Sequence, residues 1–350
     1  MKTALIYSSK YLEHRTGDCP ERAQRLTAAM SGIKRSGILS GDKVALVEPR
    51  YARIEELQMA HKREYIEMVK QTCEAGGGLI GEETPVSRES FDVARLAAGG
   101  AIKAMDKVLS GDFKNSFVLA RPPGHHAEPR RSMGFCIFNN VALAAKHLIE
   151  RRGMRRVLIL DIDAHHGNGT QKIFYDASDV LYISIHEDPS DFPKTGFIWE
   201  VGEKDGVGYT VNIPLPYGAG DSSYWRAFKE IILPILEQYK PEFILISVGY
   251  DGYYMDTISE LSLSAHIYSK IFQEVTGAAE RLCSGRVAAI LEGGYNLRFL
   301  RKIVAASLSI MASIDVRVRD RRPPLNLWAE RMAEKIINDA KRVQSRYWSL

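Results

Sequence analysis

The chain has 350 residues, of which 45% are hydrophobic and 26% are charged, and this composition excludes a disordered or fibrous protein. Its length suits one large α/β domain or two ordinary domains. The formal net charge is +4, and the basic excess falls within residues 315–350. No nucleic-acid-binding motif accompanies that excess, so it favours a solvated helix face over nucleic-acid binding.

The sequence contains four widely separated cysteines, Cys19, Cys73, Cys136 and Cys283. None belongs to a C-x-x-C pair, which argues against a disulfide framework or a thiolate zinc site and fits a reducing compartment. The first apolar run, residues 4–7, is too short for a signal-peptide core, and the longest, residues 303–314, is too short to span a membrane. These features predict a cytoplasmic protein that does not associate with membranes.

Eight short apolar stretches have the composition of buried strands, at about residues 3–7, 44–47, 116–120, 157–163, 180–186, 209–213, 243–248 and 287–291. Helical patterns occur at about residues 20–34, 54–70, 88–109, 139–151, 170 onwards, 222–239, 264–283 and up to 314. This alternation predicts an α/β fold with a mostly parallel central sheet of about eight strands and helices on both faces.

Three local features carry further predictions. Asp221 is expected to cap the helix at 222–239. His61 and Tyr65 stand at i and i+4, and we expect them to line the core rather than a functional site. The glycine-rich and then acidic stretch at 75–87 predicts a surface loop, and it is not a phosphate-binding loop because no G-K-[ST] follows.

Pro323-Pro324 forms the one convincing boundary in the chain. It separates a single domain, residues 1–322, from an amphipathic helix within residues 323–350. The apolar positions of that helix follow helical spacing, at Ala329, Met332, Ile336, Ala340, Val343 and Tyr347. We expect it to pack on the domain or on a partner, and the sequence leaves a homo-oligomer open.

The stretch at 157–169, V-L-I-L-D-I-D-A-H-H-G-N-G, runs from a buried strand directly into metal-binding side chains. Because side chains alternate along an extended strand, Asp161, Asp163 and His165 are expected on one face and His166 on the other. Open α/β sheets usually bind ligands at the carboxyl ends of their strands. A metal or ligand site is therefore expected at this edge.

Other polar side chains also follow predicted strands, and parallel strands bring such positions to one edge of the sheet. Asp251 is one of them. With Asp163 and His165 it supplies two carboxylates and one imidazole, a set that leaves a zinc coordination position open for water and substrate. Asp161 is then better suited to orient an imidazole such as that of His125.

The remaining polar residues at this edge suit acid–base chemistry. The adjacent pair His125 and His126 provides a proton-transfer group and an electrostatic neighbour. The hydroxyl of Tyr295, which follows a Gly-Gly turn, can donate to a developing oxyanion. Together with a divalent ion, these groups predict hydrolysis of an amide or an ester.

Five segments resemble the histone deacetylase and acetylpolyamine amidohydrolase superfamily, and they occur in its expected order. They are R-P-P-G-H-H-A (121–127), G-F-C-I-F-N-N (134–140), D-I-D-A-H-H-G-N-G-T-Q (161–171), G-Y-D (249–251) and E-G-G-Y-N (292–296). The first and third are closer to the class II and prokaryotic branches. The resemblance implies a single-domain arginase/deacetylase-like fold, with residues 1–322 as the catalytic domain.

The resemblance also assigns metals. It implies zinc on Asp163, His165 and Asp251, with Fe2+ as the alternative metal in the cell. It further implies a structural potassium ion near four residues, Asp161, Asp163, His165 and Ser184.

The same resemblance implies the catalytic roles. His126 would be the general base and acid with Asn168 as its neighbour. His125, paired with Asp161, would give electrostatic help. Tyr295 would hold the substrate carbonyl and the oxyanion. His166 lies outside this set, and a structural or supporting role fits it better than metal binding.

The substrate implied by the resemblance is an N-acetylated or otherwise N-acylated amine held in a tunnel. Gly134 would contact the substrate, and Phe135 and Phe192 would form the walls. Polyamine-specific members can carry an acidic residue at the position matched here by Ile258. This apolar residue favours acetyl-lysine in a protein or peptide over an acetylated polyamine.

Three further features bear on the substrate, and the last two of them are departures from the family pattern. The acidic pair at 82–83 suits a substrate backbone or a cation, and so weakens the preference for acetyl-lysine. Cys19-Pro20 stands where the family often has His-Pro. Lys194 stands in F-P-K-T-G where the family has glycine, next to the expected tunnel mouth.

Two other functions are compatible with parts of the pattern. An arginase-type ureohydrolase would need a two-manganese D-x-H-x-D cluster, whereas His166-Gly167 follows the ligand histidine here, which favours one metal. A catalytically silent acyl-lysine-binding module would be expected to lack Tyr295 or a metal ligand, and all of these are present.

Overall fold

The computed structural model describes residues 1–315 and 318–350. Its strands are β1 (Thr3–Ile6), β2 (Val44–Val47), β3 (Gly77–Leu79), β4 (Gly81–Glu82), β5 (Pro85–Ser87), β6 (Asn115–Val118), β7 (Ser132–Met133), β8 (Val157–Asp161), β9 (Val180–Glu187), β10 (Thr210–Leu215), β11 (Phe243–Val248) and β12 (Val287–Leu291). Its α-helices are α1 (Gln24–Arg35), α2 (Ile54–Leu57), α3 (Arg63–Glu74), α4 (Ser90–Leu109), α5 (Asn140–Lys146), α6 (Asn168–Phe174), α7 (Asp221–Ala227), α8 (Leu233–Tyr239), α9 (Ala265–Cys283), α10 (Leu297–Met311) and α11 (Leu327–Gln344).

Eight strands form one parallel sheet in the order β10-β9-β8-β11-β12-β6-β1-β2. Every residue of β8, β9, β11 and β12 is buried. A strand buried on both faces of its pleat needs cover on both sides, which the helices provide. The predicted α/β fold with an eight-stranded parallel sheet is therefore confirmed.

Several local predictions were wrong. Residues 54–70 do not form one helix, because the chain leaves α2 and starts α3 only at Arg63. Asp221 does not cap its own helix. Its carboxylate accepts hydrogen bonds from the backbone N and the hydroxyl of Ser264, the residue that caps α9. Residues 75–87 are more than a loop, since β3 pairs with β5 and β4 pairs with β7.

His61 and Tyr65 are buried, as expected for core residues, although they lie on either side of the start of α3. Their rings are 5.5 Å apart. The Tyr65 hydroxyl donates to the carbonyl of Ile137 at 2.6 Å. Both side chains therefore serve the packing of the region that supports the site.

The C-terminal helix α11 packs beside the edge strand β10 and against α7. Its buried positions are Ala329, Ala333, Ile337, Ala340 and Gln344. The apolar face predicted from spacing was therefore partly wrong, since Met332 and Tyr347 are exposed. Small alanine side chains let the helix lie close to the sheet edge, and the Gln344 amide donates to the carbonyl of Thr210 at 3.3 Å.

In residues 1–315 and 318–350, no helix combines the length and the apolar character that crossing a membrane requires.

Candidate active site

Four loops meet at the carboxyl-terminal edge of the sheet. They follow β8, β11, β12 and β6, which are consecutive neighbours in the sheet. Because these strands are adjacent and parallel, the residues that follow them converge, although they come from segments spread between residues 119 and 296. Most of the predicted polar residues lie on these loops, whereas Asp161 is the last residue of β8 and Ser184 lies within β9.

Asp163, His165 and Asp251 form a buried cluster whose potential ligand atoms all lie within 4.8 Å of one another. Nδ1 of His165 lies 3.1 Å from Oδ2 of Asp251 and 3.4 Å from Oδ1 of Asp163. The prediction that alternation along a strand places these side chains on one face was partly wrong. β8 ends at Asp161, so the alternation does not extend to His165. A turn directs them instead, in which the His165 backbone N donates to Oδ1 of Asp163 at 2.9 Å.

Gly293 makes room for this cluster. A Cβ atom at this position would lie 2.6 Å from carboxylate oxygens of both Asp163 and Asp251. The backbone N of Gly293 donates to Oδ2 of Asp163 at 2.9 Å. The Gly-Gly sequence before Tyr295 therefore has a steric reason, which is close approach of the backbone to the two carboxylates.

The donor set fits a divalent metal ion. Asp163 and Asp251 are 1% exposed, and within the described residues no Lys or Arg side chain forms an ion pair with either. Burial and the neighbouring Asp163 carboxylate raise the pKa of Asp251 to about 7. Two carboxylates forced together in a buried site are costly without a cation, and two oxygens with one imidazole match zinc with an open position.

His125 is paired with Asp161. Nδ1 of His125 lies 3.1 Å from Oδ2 of Asp161, which also accepts from the Tyr182 hydroxyl at 3.2 Å. Burial alone would lower the pKa of His125, but the carboxylates of Asp163 and Asp161 outweigh it and raise the pKa to about 10. The two carboxylates therefore favour the protonated form of this imidazole.

His126 has a defined tautomer. The Asn168 amide donates from Nδ2 to Oε1 of Glu128 at 3.0 Å, so its carbonyl oxygen faces His126. Nδ1 of His126 donates to that oxygen at 2.8 Å, which leaves Nε2 as a lone-pair acceptor. Burial, and then the charge of His125, hold the pKa of His126 well below its usual value. The ring is therefore neutral and suited to accept a proton.

A cavity of about 650 Å³ opens above these groups. Its lining includes His125, His126, Asp163, His165 and Tyr295 together with the predicted wall residues Gly134, Phe135, Phe192 and Ile258. The Phe192 ring lies 5.0 Å from the His126 ring, and the Phe135 ring lies 5.9 Å from the Tyr295 ring. These aromatic rings give the cavity apolar walls beside the polar floor.

Gly134 adopts a φ of +53°, and a Cβ atom there would lie 2.5 Å from Cδ2 of His126. Glycine is therefore required for this close approach. Glu82, Glu83 and Asp191 also line the cavity, whereas Lys194 does not. The departure at Lys194 accordingly lies outside the cavity wall.

Ser184 and His166 lie beside the cluster without lining the cavity. Ser184 pairs in register with Asp161, and its hydroxyl lies 2.8 Å from Nδ1 of His186. His166 is held by Thr195 and Gln171, each at 3.0 Å from one of its ring nitrogens. The structure thus places Ser184 beside Asp161, as expected for a shared potassium site. His166 makes no contact with the metal-binding atoms of the cluster.

Sequence reasoning missed a buried group that supports Tyr295. The Arg25 guanidinium lies 4.8 Å from the centre of the Tyr295 ring, and its Nε donates to the carbonyl of Gly294 at 2.7 Å. Glu21 accepts from Arg25 and also from Arg121, at 3.0 and 2.7 Å. The i, i+4 spacing of Glu21 and Arg25 was an available signal, but nothing in it points to a residue about 270 positions away.

Comparison with known proteins agrees with the geometry. A sequence profile of the histone deacetylase domain matches residues 19–311. A probable deacetylase from Archaeoglobus fulgidus is 40% identical over 99% of this chain and 99% of its own length. A histone deacetylase-like amidohydrolase from Pseudomonas aeruginosa is 37% identical over 87% of this chain and 78% of its own length.

Among solved structures, the crystal structure of the HDA15 HD domain has a TM-score of 0.88 and 34% sequence identity, and covers 99% of this chain and 95% of that chain. The fold, the match to the domain profile and the shared sequence define a deacetylase-type amidohydrolase. The chain belongs to the histone deacetylase family.

Proposed function

We propose that the protein is a zinc-dependent deacetylase that removes an acetyl or related acyl group from the side chain of acyl-lysine in a protein or peptide in the cytoplasm. One observation carries the proposal. His126, Tyr295, Asp163 and His165 all line the same aromatic-walled cavity, and Asp251 completes the buried cluster that Asp163 and His165 form.

Zinc held by Asp163, His165 and Asp251 would polarise the amide carbonyl and acidify a water molecule. Nε2 of neutral His126 accepts the proton of that water as its oxygen attacks the carbonyl carbon. The Tyr295 hydroxyl donates to the carbonyl oxygen as negative charge develops there. His126 then returns the proton to the leaving nitrogen, so the C–N bond breaks and a carboxylic acid and a free amine are released.

The cavity walls support an aliphatic acyl-amine chain as the group that enters. Phe135 and Phe192 are apolar, and Ile258 adds no charge. An acetylated polyamine is the second candidate, because Glu82, Glu83 and Asp191 line the same cavity and would attract a cationic chain. A silent acyl-lysine-binding module is the least supported function, since a hydrolytic set of side chains is present.

The proposal includes a potassium ion near Asp161, Asp163, His165 and Ser184, supported by the pairing of Asp161 with Ser184 on adjacent strands. It also includes residues 323–350 as a helix that stabilises the catalytic domain through β10 rather than as a separate unit.

A parallel assay tests the proposal. Purified protein of measured zinc content is incubated with an acetyl-lysine peptide, acetylputrescine and acetylspermidine, and free amine is quantified. We expect the peptide to be cleaved fastest. Faster cleavage of the polyamines would reverse the substrate assignment, and no hydrolysis of any substrate by zinc-loaded protein would refute the enzyme.

Two variants locate the chemistry in that assay. Tyr295→Phe removes the hydroxyl that donates to the oxyanion, and should lower kcat by about 100- to 1,000-fold with a small change in KM. His126→Ala should lower kcat at least as much, because it removes the proton-transfer group. Unchanged kcat in both variants would exclude the roles assigned to them.

A further inference from the structure

Glu187, the last residue of β9, lies next to the metal-binding cluster. The residue is 7% exposed, and its Oε1 lies 3.4 Å from Nε2 of His165. Within residues 1–315 and 318–350, no Lys or Arg side chain forms an ion pair with this carboxylate. The imidazole of His165 is therefore the side chain that can offset the negative charge of this buried carboxylate.

The two ring nitrogens of His165 face different partners. Nδ1 faces Asp251 and Asp163, at 3.1 and 3.4 Å, and is the ligand atom of the cluster. Nε2 faces Glu187. A metal-bound histidine commonly donates its second N–H to a carboxylate, which fixes the tautomer and ring orientation and strengthens the other nitrogen as a ligand.

Glu187 is itself held in place at both ends. Its backbone N donates to the carbonyl of Ala164 at 2.8 Å, next to His165. Its Oε2 accepts from the backbone N of Glu260 at 2.7 Å. Glu260 lies two residues after Ile258, which lines the cavity. One carboxylate thus touches both a metal-binding imidazole and the segment that forms part of the cavity wall.

We propose that Glu187 is a positioning residue for the metal ligand His165, and that it ties the metal site to the wall segment at 258–260. The inference rests on the metal site of the proposed function. It concerns a residue that does not line the cavity and that no step of the proposed chemistry uses directly.

The test measures zinc binding rather than turnover. The zinc dissociation constant is determined by competition with a chromophoric chelator at fixed pH for the wild type, Glu187→Ala and Glu187→Gln. Glu187→Ala should weaken zinc binding by about 10- to 100-fold, because it removes the carboxylate that lies 3.4 Å from Nε2 of His165. Glu187→Gln should lie between, since an amide oxygen can still accept the Nε2 proton.

Glu260→Gln is the matched control, because Glu260 contributes its backbone N to the contact and its side chain is exposed. This variant should bind zinc as the wild type does. A second measurement, the visible absorption spectrum of the cobalt-loaded proteins, reports the geometry of the ligands. It should change in both Glu187 variants and not in the control.

Wild-type zinc affinity and an unchanged cobalt spectrum in both Glu187 variants would overturn the inference, as would an equal loss in Glu260→Gln. If Glu187→Ala does not fold, Glu187→Gln decides the question. A wild type that binds no zinc would refute the metal of the proposed function, whereas a zinc-binding, active wild type with indifferent Glu187 variants would refute this inference alone.

Discussion

At the scale of single residues, the site depends on hydrogen bonds that fix protonation states. His125 is paired with a carboxylate and His126 with an amide oxygen, at 3.1 and 2.8 Å. The two adjacent imidazoles therefore differ in charge, because a carboxylate stabilises the charged ring far more than an amide does. His126 is therefore a neutral base, and the neighbouring His125 favours its protonated form.

Exchanging that amide for a carboxylate should alter the pH dependence of catalysis. In Asn168→Asp the new charge favours the protonated form of His126 and raises its pKa. Because the base must be deprotonated to act, the acidic limb of the kcat/KM profile should move to higher pH by about one unit or more. Asn338→Asp, an exposed substitution, is the control. A profile that does not move would show that His126 is not the base.

At the scale of elements, the loops around the site pass so close to the carboxylates of the cluster that some positions have no room for a side chain. Gly293 illustrates this, since a Cβ atom would lie 2.6 Å from two carboxylate oxygens. The loop after β12 and the loop after β11 can then approach the same cluster. The glycine at position 293 of the motif E-G-G-Y-N is therefore required by packing against the two carboxylates.

Gly293→Ala should therefore displace Asp163 or Asp251 and impair metal binding. We expect at least a tenfold loss in zinc affinity, with the secondary structure seen by circular dichroism retained. Gly41→Ala is the control, because nothing lies within 4 Å of a Cβ atom there. Equal zinc affinity in the two variants would contradict the close packing around the cluster.

The packing face of α11 can be tested with two neighbouring isoleucines. Ile337 is fully buried, whereas Ile336, which spacing placed on the apolar face, is only partly buried. Ile337→Ala should lower the free energy of unfolding by about 2–4 kcal/mol, and Ile336→Ala by less than about 1 kcal/mol. Urea denaturation measures both. A larger loss for Ile336→Ala would restore the face predicted from spacing.

At the scale of the whole molecule, several buried histidines are held neutral. His14 and His61 have pKa values lowered to about 4, and that of His186 is lowered to about 3, in each case chiefly by burial. His61 shows the reason clearly: its Nδ1 donates to the carbonyl of Glu128 at 3.0 Å, and its Nε2 accepts from the backbone N of Asn139 at 2.9 Å. A second ring proton would face that N–H group.

Stability should consequently fall in mild acid. The folded-state pKa of these histidines is below the unfolded value of 6.5, so the unfolded chain takes up protons first. Their contribution is complete above about pH 6.5 and is lost as the pH falls towards 4, with a slope of up to about 1.4 kcal/mol per pH unit for each histidine.

The variant His61→Gln isolates one of these contributions. It should reduce the slope of unfolding free energy against pH between about pH 6 and 4, as measured by urea denaturation at a series of pH values. A slope identical to that of the wild type in His61→Gln would mean that this ring does not contribute.

The strands and the candidate site residues were predictable because their signals are local. β11 and β12 begin and end at the predicted residues, since continuous apolar runs bounded by polar turns mark buried parallel strands. The helix ends were less predictable. Asp221 stands at the start of α7 and could have capped that helix, but its carboxylate accepts a hydrogen bond from the hydroxyl of Ser264, which is distant in sequence.

The sequence by itself determined the parallel sheet, the residues that collect at its carboxyl-terminal edge, and through its motifs the resemblance to one family. Periodicity, composition and short motifs extend over a few residues, and the sheet and the residues at its edge can be predicted from such local patterns. Tertiary structure decided that a turn rather than strand alternation directs His165, that α11 buries its alanines, and that Arg25 and Glu187 support the site. Those outcomes depend on contacts between residues far apart in the chain, which local patterns do not encode.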